Sequence, residues 1–191
     1  GDTSRVPYGN RSRETIRRYA MQDANFLLQN NVKMVVAACG TVSSVAPDLE
    51  SVLGVPYTGV VLPTCFTALN ESKNGRIGVI GTTATINSHS YKKRIKEKNP
   101  SFEVFEQDCP LFVPLVENGF IDRNDDVVKL IVARYMAPLK EAKVDTVILG
   151  CTHYPILKDA ISDFMGEGVD PEVVKAVKDY AAKLKKAGYE V

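Results

Sequence analysis

The sequence predicts an α/β fold made of two similar halves, each around a parallel sheet, and three observations predict it. Short apolar runs alternate with amphipathic helical segments along the chain. Met34–Ala38 is apolar without a polar break, as in a strand buried on both faces of a parallel sheet. A strand ending in a cysteine, with a threonine within two residues, occurs twice: Cys39-Gly40-Thr41 and Cys151-Thr152.

The chain opens at Gly1-Asp2-Thr3 in loop chemistry, with Pro7-Tyr8-Gly9 as a turn. A stable domain does not normally begin there, so the first half is expected to be truncated. Ser12 begins a helix whose apolar positions, Ile16, Tyr19, Ala20, Phe26 and Leu27, recur near helical spacing until Asn30-Asn31. The Met34–Ala38 strand follows, then a helix over Ser43–Leu53 with Pro47 near its first turn, where a missing N–H costs least. Thr58–Leu62 reads as extended, and Pro63 as a candidate domain crossing.

Cys65–Glu71 is helical, Asn74-Gly75 is a turn and Arg76–Ile80 is a strand. The Gly81–Thr85 stretch turns that strand into a helix reaching Lys98. Its composition suits an anion cradle, but capping a helix after a strand explains it equally and is preferred. The basic run Tyr91–Lys98 is a solvated helix face, and His89 a surface residue. Pro100–Gln107 is a strand, and Cys109–Pro114 an apolar connection into a short helix carrying Glu117. Asp125–Ala142 is a long amphipathic helix that Pro138 should kink or shorten. Ile156–Met165 is helical and ends at Gly166-Glu167-Gly168. Asp170 caps a final helix with Pro171 at its first position, docked by Val173, Val174, Val177, Tyr180, Ala181 and Leu184. The domains expected are 1–63 with 169–191, and 64–168.

A chain of 191 residues can bury a sizeable core. Its net charge of +1, from 24 basic and 23 acidic residues, makes no case for nucleic acid or an anionic membrane surface. No apolar stretch approaches the roughly 20 residues that span a bilayer, and the polar opening does not resemble a secretory leader. The four cysteines, 39, 65, 109 and 151, are not at CxxC spacing, so zinc and thioredoxin-like readings lack support, and reduced thiols in the cytoplasm are expected. A cysteine between a strand and a helix N-terminus faces unpaired N–H groups and a positive dipole end, which favour thiolate.

Five segments carry a family resemblance: GDTSRVPYG at 1–9, ACGT at 38–41, NGRIGVIGT at 74–82, CPLFVPLVENG at 109–119 and LGCTHYP at 149–155. In this order they resemble the glutamate racemases of the aspartate/glutamate racemase superfamily, over residues 1 to about 168. The resemblance implies cofactor-independent interconversion of L- and D-glutamate for peptidoglycan synthesis, with no metal. Homodimers are common in the family. It implies that Cys39 and Cys151 are the catalytic thiols, with His153, Asp2 and Glu117 assisting. Tyr8, Gly9, Gly40, Thr41, Thr152 and His153 would bind substrate. Cys65 and Cys109, outside the strand–Cys–Thr context, read as structural.

Racemisation removes a proton from one face of Cα and returns one to the other, and a single base would tend to return it where it came from. Two thiols from two halves solve this if the halves face one another. Three departures bear on competence. The family's upstream strand and Asp-Ser-Gly loop is missing, Gly40 stands where asparagine is usual, and Gly168–Pro171 is short for the family's last strand and turn. The alternatives are therefore a racemase of another amino acid such as aspartate, for which Gly40 would open space, or a fragment that binds ligand without turnover. A thiol-redox or zinc role is weakest.

Overall fold

The computed structural model describes residues 2–166 and 169–171. Ser12 caps helix α1 (Arg13–Leu28), its hydroxyl accepting from the Thr15 N–H. α1 lays Ile16, Ala20 and Ala24 against strand β1 (Val35–Ala37), helix α2 (Gly40–Val45), a 3-10 turn (Pro47–Ser51) and strand β2 (Tyr57–Gly59). β1 and β2 form a two-stranded parallel sheet, with Val35 opposite Tyr57.

The second half is larger. Helix α3 (Val61–Glu71) precedes strand β3 (Arg76–Gly81), helices α4 (Thr83–Ser88) and α5 (Ser90–Lys98), and strand β4 (Glu103–Asp108). Then come helix α6 (Phe112–Glu117), helix α7 (Asp126–Glu141), strand β5 (Thr146–Leu149), helix α8 (Lys158–Met165) and strand β6 (Asp170–Pro171). The sheet is parallel throughout, in the order β4-β3-β5-β6. Both faces are covered. Val61, Cys65, Tyr91 and Ile95 pack with Ile77, Val79 and Ile148 on one face. Phe112, Val132, Met136, Leu139 and Ile161 pack with Ile80, Val147 and Leu149 on the other. That is why β5 has no polar alternation. Among the described residues no helix is long and apolar enough to cross a membrane.

Several expectations shift. β1 is not buried on both faces: Val36 is 42% exposed, because helices pack on the Val35 face. The helix after Cys39 starts at Gly40 rather than Ser43 and stops at Val45, since Pro47 cannot donate to continue its ladder. Pro63 falls where the chain has just passed from β2 into α3. It lies in the first turn of α3, where an N–H has no helical partner, and α3 packs with the second half. The helix expected through Lys98 breaks at His89, which adopts φ 53°. There Ser88 Oγ donates to Thr85 O and accepts from Ser90 N–H, competing with the ladder. α7 runs one turn past Pro138. Asp170-Pro171 is not a helix start but pairs with Thr146 and Val147 of β5, so residues 169–171 sit with the second half, not the first. The apolar positions from Val173 onward lie outside the described residues.

The loop entering β3 is tied to the strand beside it. Asp145 accepts from Ser72 Oγ, Lys73 N–H and Asn74 N–H, each at 2.7 Å. Partial burial alone would raise its carboxyl, but these donors outweigh it and hold it below the usual carboxylate range. Asp145→Ala is expected to lower unfolding free energy by about 2 kcal/mol in urea titration. Because the native carboxyl is depressed, its contribution is present above the ordinary carboxylate range and lost as pH falls through it. The wild-type advantage should therefore shrink in acid.

Candidate active site

The two cysteines leave their strands differently. Cys39 is the N-cap of α2 in extended conformation, its carbonyl accepting the first helical bond from Ser43 N–H at 2.9 Å. Cys151 follows Gly150, whose N–H donates to Ile80 O at 2.7 Å as β5 ends. No α-helix starts at Cys151. A 3-10 turn (Tyr154–Leu157) intervenes before α8, so the dipole argument applies to Cys39 alone.

What Cys151 has instead is a relay. His153 Nδ1 lies 3.7 Å from its Sγ, and His153 Nε2 lies 2.5 Å from Glu117 Oε1. With Nε2–H donating to Glu117, Nδ1 is left as the acceptor facing the thiol. Glu117 comes from the end of α6, and the buried Tyr154 holds this turn by donating to Cys109 O at 3.0 Å. Burial of the Cys151 sulfur pushes its thiol up to about 11. Backbone N–H groups at His153 and Thr152 and the Thr152 hydroxyl pull the other way without overcoming it, and a charge on Cys39 adds to the rise. The ligand-free Cys151 is thus a thiol at neutral pH, and the thiolate-favouring helix start expected after a strand-end cysteine is not found there. Cys39 packs against the first core and Cys151 against the second, and the Gly40 and Gly150 backbones next to them lie against one another.

Asp2 is engaged elsewhere. Its carboxylate takes Arg5 at 2.6 Å and the Tyr8 hydroxyl, and Arg5 first, then Tyr8, hold it below the usual range. Burial, then Asp2, push Tyr8 well up, so it remains a donor, and it also reaches Asp23 at 3.2 Å. Among the described contacts none joins Asp2 to Cys39. Gly9 accepts from Ala84 N–H at 3.0 Å. Thr41 is buried, and its hydroxyl meets Thr82 at 3.0 Å, which meets Thr85 at 3.0 Å, which returns to Thr41 at 3.4 Å. Thr152 is exposed beside its cysteine. Gly40 opens no space: a Cβ there would meet the Gly150 carbonyl.

Thr82 and Thr85 were not among the sequence-predicted site residues. Thr82 does cap α4, but it also carries the bond to Thr41 of α2, 41 residues away in the chain. Cys65 and Cys109 are buried, and burial pushes both thiols up, Cys65 to about 12. Among the described residues no group of three or more His, Cys, Asp or Glu gathers to hold a metal. A separate cavity of about 880 Å³, bordered by Arg11, Arg13, Ser44, Asn87, Lys93 and Arg94, includes none of the predicted site residues.

Residues 2–184 match the Asp/Glu/Hydantoin racemase family. The chain belongs to that family. It is 47% identical over 170 residues to a glutamate racemase of Geobacter metallireducens, covering 88% of this chain and 62% of that protein. It is 51% identical over 163 residues to one of Sulfurihydrogenibium sp., covering 84% and 62%. The chain thus spans about three-fifths of the length of these relatives. Among solved structures, the glutamate racemase of Francisella tularensis in complex with D-glutamate superposes with TM-score 0.88 at 35% identity, covering 98% of this chain and 70% of that one. The RacE1 isoform from Bacillus anthracis gives 0.91 at 34%, covering 98% and 71%. The α/β fold with parallel sheets is the one these family members share.

In a Cys39→Ser variant, iodoacetamide alkylation of Cys151 should rise with a midpoint well above the ordinary 9.0, towards about 11. The same shift has a stability sign. The native thiol keeps its proton longer than the unfolded one, so its contribution is full below pH 9 and is lost as pH climbs from 9 towards 11.

Proposed function

We propose that this protein racemises glutamate without a cofactor, by proton transfer between Cys39 and Cys151, as a cytoplasmic source of D-glutamate for peptidoglycan. The observation that carries the reading is the Cys151–His153–Glu117 relay on one half, beside the contact of Gly150 with Gly40, which follows the strand-end cysteine of the other half. The relatives named above, one of them with D-glutamate bound, support the choice of substrate.

Glutamate binds with its Cα between the two sulfurs. One cysteine, as thiolate, takes the Cα proton, and the electron pair left on carbon delocalises into the carboxylate. The other cysteine, as thiol, returns a proton to the opposite face. Cys151 rests as the thiol and is therefore the acid in one direction. In the other direction His153 Nδ1 accepts its proton, Glu117 stabilising the imidazolium that forms. Tyr8, Gly9, Gly40, Thr41 and Thr152 line the substrate site. Asp2 acts through the Arg5–Tyr8 cluster as a positioning group rather than as a base beside sulfur. The aspartate alternative drew on free space at Gly40, and that space is filled by Gly150.

In D₂O the chain should place deuterium at glutamate Cα, followed by NMR. Cys39→Ala and Cys151→Ala should each lower the rate by roughly 10²–10⁴-fold. Full exchange in the double variant would sink the mechanism. Binding by calorimetry with no exchange in the unsubstituted chain would leave a ligand-binding protein instead.

A further inference from the structure

Residues 2–9 run from helix α1 of the first half to helix α4 of the second, and one side chain ties them down. Arg5 bonds through all three nitrogens of its guanidinium. Nε lies 2.6 Å from Asp2 Oδ2, Nη2 donates to Asp23 Oδ1 at 2.8 Å, and Nη1 donates to Gln22 Oε1. The guanidinium also lies over the Tyr19 ring, with Cζ 4.2 Å from the ring centre. Tyr19, Gln22 and Asp23 share one face of α1, at the three- and four-residue spacing of helical neighbours.

The Tyr8 hydroxyl depends on the same arginine. It meets Asp2 Oδ2 and, at 3.2 Å, Asp23 Oδ2. Two carboxylates thus converge on one hydroxyl, which has one proton to give. Without a cation between them they would repel, and Arg5 is the cation paired with both. Tyr8 leads into Gly9, whose carbonyl accepts from Ala84 N–H at 3.0 Å, in the first turn of α4. Gly9 sits flush on Thr82: a Cβ on it would stand 2.5 Å from Thr82 Cβ. The Tyr8–Gly9 turn is therefore held from α1 at one end and seated on α4 at the other.

We propose that Arg5 is a positioning residue of the substrate site: its fork to Asp2 and Asp23 fixes the Tyr8–Gly9 turn on Thr82. Among the described contacts Arg5 touches neither cysteine, and it acts through Asp2 and Tyr8. Lysine cannot replace it, because a single ammonium on a flexible stem has no planar fork to hold three acceptors while lying over Tyr19. The anchor stands on these contacts, and only its effect on the substrate rests on the racemase reading above.

The test compares Arg5→Lys and Arg5→Ala with the unsubstituted chain by two readouts. The first is NMR hydrogen exchange of the Ala84 amide, whose acceptor is Gly9 O. It should speed up by roughly tenfold in Arg5→Lys and further in Arg5→Ala, while the amides of α7 keep their rates. The second is deuterium uptake at glutamate Cα. There Arg5→Lys should raise KM roughly tenfold and leave kcat within about threefold, as loss of binding alone requires. An unchanged Ala84 rate or an unchanged KM in Arg5→Lys overturns the proposal. If Arg5→Ala does not fold, Arg5→Lys, which keeps the charge and the stem, decides. If the unsubstituted chain takes up no deuterium, the racemase reading falls and the amide alone decides: faster Ala84 exchange in Arg5→Lys supports the anchor, and an unchanged rate overturns it.

Discussion

The hydrogen bond from Gly150 N–H to Ile80 O, at 2.7 Å, is the constraint on which the site depends. It closes the parallel pairing of β3 with β5 at the residue before Cys151. Ile80 and Leu149 lie in one core cluster, Val79 and Ile148 in the other, so the strand end is gripped from both faces. A sheet buried on both faces resists local sliding, because a one-residue slip would turn every side chain to the wrong layer. The position of Cys151 is therefore inherited from the least deformable part of the molecule. The relay of His153 and Glu117 hangs outward from that fixed point towards solvent, where Glu117 is largely exposed.

Cys39 stands on different footing. Its strand has three residues in a two-stranded sheet, and one face is partly open at Val36. What fixes it is the helix it caps, which is buried at every residue and bonded sideways to the second half. The chemical environments differ to match. Cys151 is desolvated and held as a thiol, with the His153 imidazole 3.7 Å away. Cys39 sits at a helix start with no base of its own among the described contacts. Two cysteines with the same sequence context, strand–Cys–Thr, thus have unequal surroundings because the chain after them folds differently.

That inequality marks what could be read from the sequence. The parallel α/β architecture, the strand–cysteine junctions, the α1 cap at Ser12 and the structural character of Cys65 and Cys109 follow from local patterns of period and capping. Where helices begin and end beside competing hydroxyls did not: Ser88 bonds its neighbours' backbone and breaks the run at His89. The Glu117–His153 bond spans 36 residues, and the Thr41–Thr82 bond 41, so both depend on topology that no window of sequence contains. Gly40 misled for the opposite reason. A missing side chain reads as free space in a sequence, while in the fold a backbone carbonyl occupies it.

Among the described residues the two halves meet through small groups, and their buried apolar clusters stay separate. The buried clusters of the first half and of the second remain separate, while the seam carries Thr41, Thr82 and Thr85, Ser44 with Ser90, Gly9 with Ala84, and Gly40 against Gly150. Hydrophobic burial would join two halves with little preference for orientation, since it scales with area. Each neutral hydrogen bond contributes only about 1 kcal/mol net, but it fixes a distance and a direction. Backbone contact at glycine is stricter still, because nothing in it can change rotamer. Cys39 and Cys151, carried on separate halves, take their relative placement from this seam rather than from apolar area shared between the halves. A seam of hydroxyls and glycines is the kind of joint that supplies it.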